Sequence, residues 1–293
     1  MDTYRRKDKV INTTKSLMLA LVVLLPFLPL QAAETKDLTL PRIQVVPIKD
    51  TQADRLYELY IKLPQGYTKS KDKNYPVIYF TDADTHIELL SGTEFLMEDV
   101  ILVGISHQKD LDETSGIRDS RARDYSISKS SNLERQAKYQ FGQAGKHLAF
   151  IRHDVIKFIE SNYRTDPSNR TYFGFSLGGL FGTYALMTHP DTFKNYILGS
   201  PSLWRDIPLL FSLENPALKS KGQAINLFIT YGEQEKELAV HVEDFITQLK
   251  NKNYQALSSI KQVVIDSAGH SDSFPMVGVR SVKWLSNLIK EQG

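Results

Sequence analysis

The stretch Thr171-Tyr172-Phe173-Gly174-Phe175-Ser176-Leu177-Gly178-Gly179 limits what this chain can fold into more than any other. Its centre, Gly174-x-Ser176-x-Gly178, is the pattern of a nucleophile elbow, where a strand ends at a serine and a helix starts just after it. The turn strains the serine backbone and lifts its Oγ above the sheet edge. Glycines flank it because a Cβ at either place would collide with the strand or the helix. Five residues alone are a weak signal, since a glycine-rich turn with an idle serine looks the same. The flanks add to it: Arg170–Phe173 reads as a short buried strand, and Leu177–Met187 as a helix rich in small residues.

The same alternation runs along the chain. Ile43–Ile48 and Leu56–Leu63 read as an opening strand pair, Tyr75–Phe80 as a buried strand feeding the loop Thr81-Asp82-Ala83-Asp84, and Val100–Ile105 as another buried strand. Gln108–Gln143 is polar and reads as a long irregular connection, a type that tends to be functional. Lys146–Tyr163 is an amphipathic helix with Leu148, Ile151, Val155, Ile156 and Ile159 on one face. After the elbow come strands at Tyr196–Gly199, Ile225–Ile229 and Ile260–Ile265. Helices follow at about Glu235–Lys250 and Phe274–Lys290. Strands alternating with helices imply an α/β class, with a mostly parallel central sheet and helices on both faces.

The 293 residues carry 36 basic and 34 acidic side chains, a balance that gives no reason to invoke nucleic acid. The absence of cysteine excludes disulfides, thiol nucleophiles and thiolate metal sites. Arg5, Arg6, Lys7, Lys9 and Lys15 precede an apolar run from Leu17 to Leu30, then Gln31-Ala32-Ala33-Glu34. That order is the one expected of a secretory signal peptide, with an uncleaved anchor as the alternative, and the run is shorter than the roughly 20 residues needed to span a bilayer. The expected organisation is a signal over 1–33 and one catalytic domain over 34–293, periplasmic or secreted, with no membrane span once the signal is cut.

A serine hydroxyl needs a base. With an elbow, the chain order is serine, acid, histidine. His241 and His270 lie far enough downstream to leave room for the acid. His241 sits mid-helix and reads as a helix-face residue. His270, just past the last strand, is the candidate base, expected in a loop at the carboxyl edge of the sheet. Glu235, three residues past Gly232, is the candidate acid and Glu233 the alternative; either also suits a helix N-terminus. The backbone N–H of Leu177 is the first oxyanion donor. The second belongs to Ala83 or Asp84, and the sequence does not choose between them. No His-Glu-x-x-His spacing exists, so neither a metal nor a cofactor is expected.

In these residues the chain resembles the esterase family of α/β-hydrolases that includes esterase D-type enzymes, feruloyl esterases, mycolyltransferases and siderophore esterases. The resemblance rests on Pro76-Val77-Ile78-Tyr79-Phe80-Thr81-Asp82-Ala83-Asp84, Val103-Gly104-Ile105, Tyr163-Arg164-Thr165-Asp166, Gly174–Phe181, Ser200-Pro201-Ser202-Leu203-Trp204 and Gly269-His270. The chain departs from the family pattern at Thr81 and Ala83, where leucine and glycine are usual. The resemblance implies the α/β-hydrolase fold, Ser176 as nucleophile and His270 as base, acting on a small-molecule ester such as a siderophore or phenolic ester. Some such relatives work with a serine–histidine pair alone. Arg118, Arg121 and Arg123 in the long connection, with Trp204, are candidates for substrate contact, although Asp119 and Asp124 stand ready to neutralise the arginines. An acyltransferase with the same residues, or a binding protein of the same fold, are the competing functions.

Overall fold

The computed structural model describes residues 40–112 and 116–292. The expected signal over 1–33 lies outside the described residues. From Pro41 onward the chain forms a single compact unit.

Strands β1 (Ile43–Asp50) and β2 (Arg55–Lys62) form the expected opening pair, and they run antiparallel. β3 (Tyr75–Thr81), β4 (Ile101–Ile105), β5 (Thr165–Phe175), β6 (Asn195–Gly199), β7 (Ile225–Gly232) and β8 (Leu257–Ile265) complete an eight-stranded sheet in the order β1-β2-β4-β3-β5-β6-β7-β8. From β4 to β8 all neighbours run parallel. The central strands β6 and β7 are buried along their whole length, as expected where helices cover both faces.

Alternating side chains divide the core in two. Val77 and Tyr79 of β3, Tyr172 of β5 and Leu198 of β6 point to one face. Ile78, Phe80, Phe173 and Ile197 point to the other. The first face is covered by α4 (Ala144–Phe150), a wide turn Ile151–Val155, α5 (Ile156–Asn162), α6 (Leu177–Thr188) and α8 (Lys236–Lys252). The second is covered by α1 (Ala83–Gly92) and α9 (His270–Gln292), through Ile87, Leu90, Val277, Val282 and Leu285. Each such fully buried side chain contributes about 1.5–3 kcal/mol of transfer free energy.

Near the amino ends of β6, β7 and β8, side chains bond across four neighbouring strands, reaching Thr171 midway along β5. Asn195 Nδ2 donates to Thr171 Oγ1 at 3.2 Å, Asn226 Nδ2 to Asn195 Oδ1 at 2.9 Å, and Ser259 Oγ to Asn226 Oδ1 at 2.8 Å. Thr171, Asn195 and Asn226 are buried.

Two expectations are corrected. The connection Gln108–Gln143 is not irregular: it holds α2 (Gly116–Tyr125) and α3 (Leu133–Tyr139). α2 has no apolar stripe; beside Ala122 and Tyr125 it buries Ser120, Arg123 and Asp124 through hydrogen bonds and ion pairs. His270 lies not in a loop but at the first position of α9. α7 (Ile207–Ser212) follows the Ser200–Trp204 segment. Among the described residues, no helix is long and apolar enough to cross a membrane.

Candidate active site

Ser176 joins β5 to α6 at φ 57°, ψ −116°, outside the regions open to an ordinary residue. The strain is held because the turn leaves no slack: a Cβ on Gly174 would sit 2.3 Å from the Gly178 carbonyl oxygen. Ser176 N–H donates to Gly199 O at 2.8 Å, which fastens the elbow to the neighbouring strand β6. Leu177, the first residue of α6, has no intrahelical acceptor for its N–H.

His270 Nε2 lies 2.9 Å from Ser176 Oγ, and His270 Nδ1 lies 2.6 Å from Glu235 Oε1. The ring packs on Phe175, with centroids 5.0 Å apart. Glu235 is the N-cap residue of α8, its carbonyl accepting from Ala239 N–H at 2.8 Å, but its carboxylate makes no capping bond and turns into the site instead. Its second oxygen accepts from Ser200 Oγ at 2.7 Å and from Gly232 N–H at 2.6 Å. Burial pushes the Glu235 carboxyl up, but the bonds to His270, Ser200 and Gly232 outweigh it and hold it below the ordinary glutamate value. The turns after β7 and β8 are laced together: Glu233 N–H donates to Ile265 O, Gln234 N–H to Ala268 O, and Ser267 N–H to Glu233 Oε2 at 2.9 Å. Of the two candidate carboxylates, then, Glu235 meets the histidine and Glu233 braces the turn that carries it. A hydroxyl–imidazole–carboxylate chain of this kind can pass a proton from serine to histidine while the carboxylate steadies the imidazolium.

Two hydroxyls near the centre had no role assigned from the sequence. Ser202 Oγ lies 3.4 Å from Ser176 Oγ, and Ser200 links Glu235 to Ser273. Both belong to the Ser200–Trp204 motif, whose resemblance to the family was the only signal available. Ala83 and Asp84 open α1, where helix geometry supplies no intrahelical acceptor for their N–H groups. The Asp84 carboxylate is taken by Lys109 at 2.6 Å, His107 at 2.7 Å and the Tyr60 hydroxyl at 3.1 Å. Burial pushes that carboxyl up, and Lys109 and His107 more than reverse it. His241 lies in α8, 6.4 Å ring to ring from Trp204.

Residues 51–293 match the family model described as "Putative esterase". The chain belongs to this family. The esterase is 27% identical over 270 residues to the ferri-bacillibactin esterase BesA of Bacillus subtilis (strain 168), covering 84% of this chain and 90% of that one. Its fold resembles the BES protein of Bacillus cereus, with a TM-score of 0.74 at 22% identity over 87% of this chain and 98% of that one. It also resembles the siderophore hydrolase EstB of Aspergillus nidulans, with a TM-score of 0.69 at 17% identity over 86% and 97%. The esterase is a carboxylic ester hydrolase of the α/β-hydrolase fold.

An open cleft of about 810 Å³ begins at Leu177. Ile117, Arg118, Arg121 and Ala122 of α2 form one wall, and Arg135, Tyr139 and Phe141 the other. The Arg118 guanidinium lies 5.5 Å from the Tyr139 ring centre, and that of Arg135 5.7 Å from Phe141. Arg121 and Arg118 thus reach the cleft of the esterase, but Arg123 does not. Its guanidinium is buried against Asp124, at 2.7 and 2.8 Å, and the Tyr57 hydroxyl, because α2 turns that face to the core. Trp204 is half exposed, at φ 34°, and is not among the residues that line this cleft.

Proposed function

We propose that the protein hydrolyses its ester through an acyl-enzyme on Ser176. Ser176 Oγ attacks the carbonyl carbon while its proton passes to His270 Nε2, and Glu235 accepts the Nδ1–H bond of the imidazolium. The N–H of Leu177, with that of Ala83 or Asp84, receives the oxyanion; one such donor is worth about 2.7–4 kcal/mol in the transition state. The tetrahedral adduct collapses as His270 returns the proton to the departing alcohol. Water then attacks the acyl-serine by the same relay and releases the acid. The unbroken hydrogen-bonded chain Ser176–His270–Glu235 carries this reading.

For the substrate we propose an anionic aromatic ester of the catecholate or phenolic kind. The cleft beside Leu177 offers guanidinium groups for negative charge and the Tyr139 and Phe141 rings for a planar acyl group. The names of BesA and EstB agree with a siderophore substrate. The basic, apolar, small-residue order of the first 33 residues supports export, with the mature chain starting near Glu34.

Purified protein offered p-nitrophenyl esters, feruloyl esters and ferric catecholate lactones tests both points. Ser176→Ala should lose all hydrolysis and all fluorophosphonate labelling, and survival of either would move the nucleophile elsewhere. Preference for neutral aliphatic esters over the anionic aromatic ones would overturn the substrate assignment. Strong diversion of the acyl group to added alcohols would make the protein a transferase.

A further inference from the structure

Asp82, the residue before α1, stands at φ 59°, ψ 42°. A non-glycine residue keeps this left-handed conformation only where its surroundings hold it. Two side chains of α2 do so. Arg121 Nε donates to Asp82 Oδ1 at 2.7 Å and Nη2 to Oδ2 at 3.2 Å, a two-pronged grip on the carboxylate. The Tyr125 hydroxyl accepts from Asp82 N–H at 3.4 Å. Asp82 is buried, and Arg121 lies with its flank over the Tyr125 ring, 5.9 Å from the centre.

The preceding residue is tied to the elbow itself. Thr81 Oγ1 lies 3.2 Å from the Tyr172 hydroxyl, which donates to Gly178 O at 2.8 Å. A Cβ on Gly178 would meet Thr81 Oγ1 at 2.5 Å, so the β3 loop and the first turn of α6 are in direct contact. The loop and the elbow carry the two proposed halves of the oxyanion site. The backbone angle at Asp82 sets the direction of the Ala83 and Asp84 N–H groups relative to that of Leu177.

We propose that Arg121 is a positioning residue for the oxyanion site. It holds Asp82 in the left-handed turn and so aims the second donor at the carbonyl oxygen. This rests on the serine-hydrolase reading above. The same guanidinium forms part of the cleft wall, and its Nη1 amino group is not used on Asp82. An anionic acyl group bound there touches the residue that orders the oxyanion site, so substrate charge and turnover rate are coupled through one side chain.

A neutral ester too small to use the cleft charges, p-nitrophenyl acetate, separates positioning from binding. Arg121→Ala should lower its kcat roughly ten- to hundred-fold, the scale of a misaimed catalytic group, with KM changed less than about two-fold. Fluorophosphonate labelling of Ser176 should slow in the same proportion. Arg121→Lys should restore part of the rate, because a lysine reaches one carboxylate oxygen at a time. Asp82→Asn should slow the reaction too, and the double variant should be no slower than the slower single one. Wild-type kcat on p-nitrophenyl acetate in Arg121→Ala, with losses confined to binding of anionic esters, would overturn the proposal; so would additive losses in the double variant. If Arg121→Ala does not fold, Arg121→Lys and Asp82→Asn, which keep a polar partner in place, decide the matter by the same readouts. An inert wild-type protein would overturn the hydrolase reading itself and this role with it.

Discussion

In the proposed proton relay Glu235 is the pivot, since its two oxygens serve His270 on one side and Ser200 with Gly232 N–H on the other. Glu235→Gln keeps the shape but removes the charge that steadies the imidazolium. It should lower kcat by roughly 10²- to 10⁴-fold, with little change in KM, in steady-state assays. The carboxyl is held below the ordinary glutamate value of 4.5. The native state therefore gains stability from it above that pH and loses it as pH falls through the lower folded value. The gap in melting temperature between wild type and Glu235→Gln should accordingly be largest near neutrality and close in acid. Ser176, His270 and a glutamate just past Gly232 stood out in the sequence because each sets a reactive side chain shortly after a strand, whereas the choice of Glu235 over Glu233 as the partner of His270 needed the structure. Ser200 and Ser202 were not: an uncharged serine carries no signal of its own, and only the fold brings these two beside Glu235 and Ser176.

At the scale of elements, the regular strands and amphipathic helices declared themselves through period, whereas α2 did not. Its sequence Gly116–Tyr125 is mostly polar, and beside Ala122 and Tyr125 it buries an ion pair, Arg123–Asp124, completed by Tyr57 and Ser120. Hydrophobic periodicity cannot reveal a helix seated by charge, and so the wall of the cleft read as loop. A second electrostatic junction joins the end of α7 to the end of α8. Glu214 meets Lys219 at 2.6 Å, Lys252 at 3.0 Å and the Tyr254 hydroxyl. These bonds, led by that of Lys219, pull its carboxyl down to about 2. Its contribution to stability is full above the ordinary value of 4.5 and is lost as pH falls through about 2. Glu214→Gln should melt below wild type at neutral pH, and the two melting temperatures should converge toward pH 2 in a thermal-denaturation series.

For the whole molecule, the mostly parallel sheet with helices on both faces followed from the alternation of elements, because such a sheet buries runs such as Ile225–Gly232, whereas the strand order was not readable from that alternation. What no pattern revealed was the polar ladder Thr171–Asn195–Asn226–Ser259, since each member looks like an ordinary strand residue until the register brings them together. Asn195→Ala would leave Thr171 and Asn226 without their shared partner. It should cost about 1–3 kcal/mol of stability, read from denaturant unfolding. The ladder also works as a gauge. Sliding one strand past its neighbour by a residue would displace its far end by about 3.3 Å, while a working catalytic centre tolerates roughly 0.5 Å. Pinning strand phase at one end of the sheet leaves the turns at the other end correctly levelled, whatever the intervening connections do. A segment that lines the cleft differently could therefore stand in place of Gln108 to Gln143 without shifting the Ser176–His270–Glu235 chain, provided that it still covers Tyr57 and still brings a guanidinium to Asp82 on the oxyanion side.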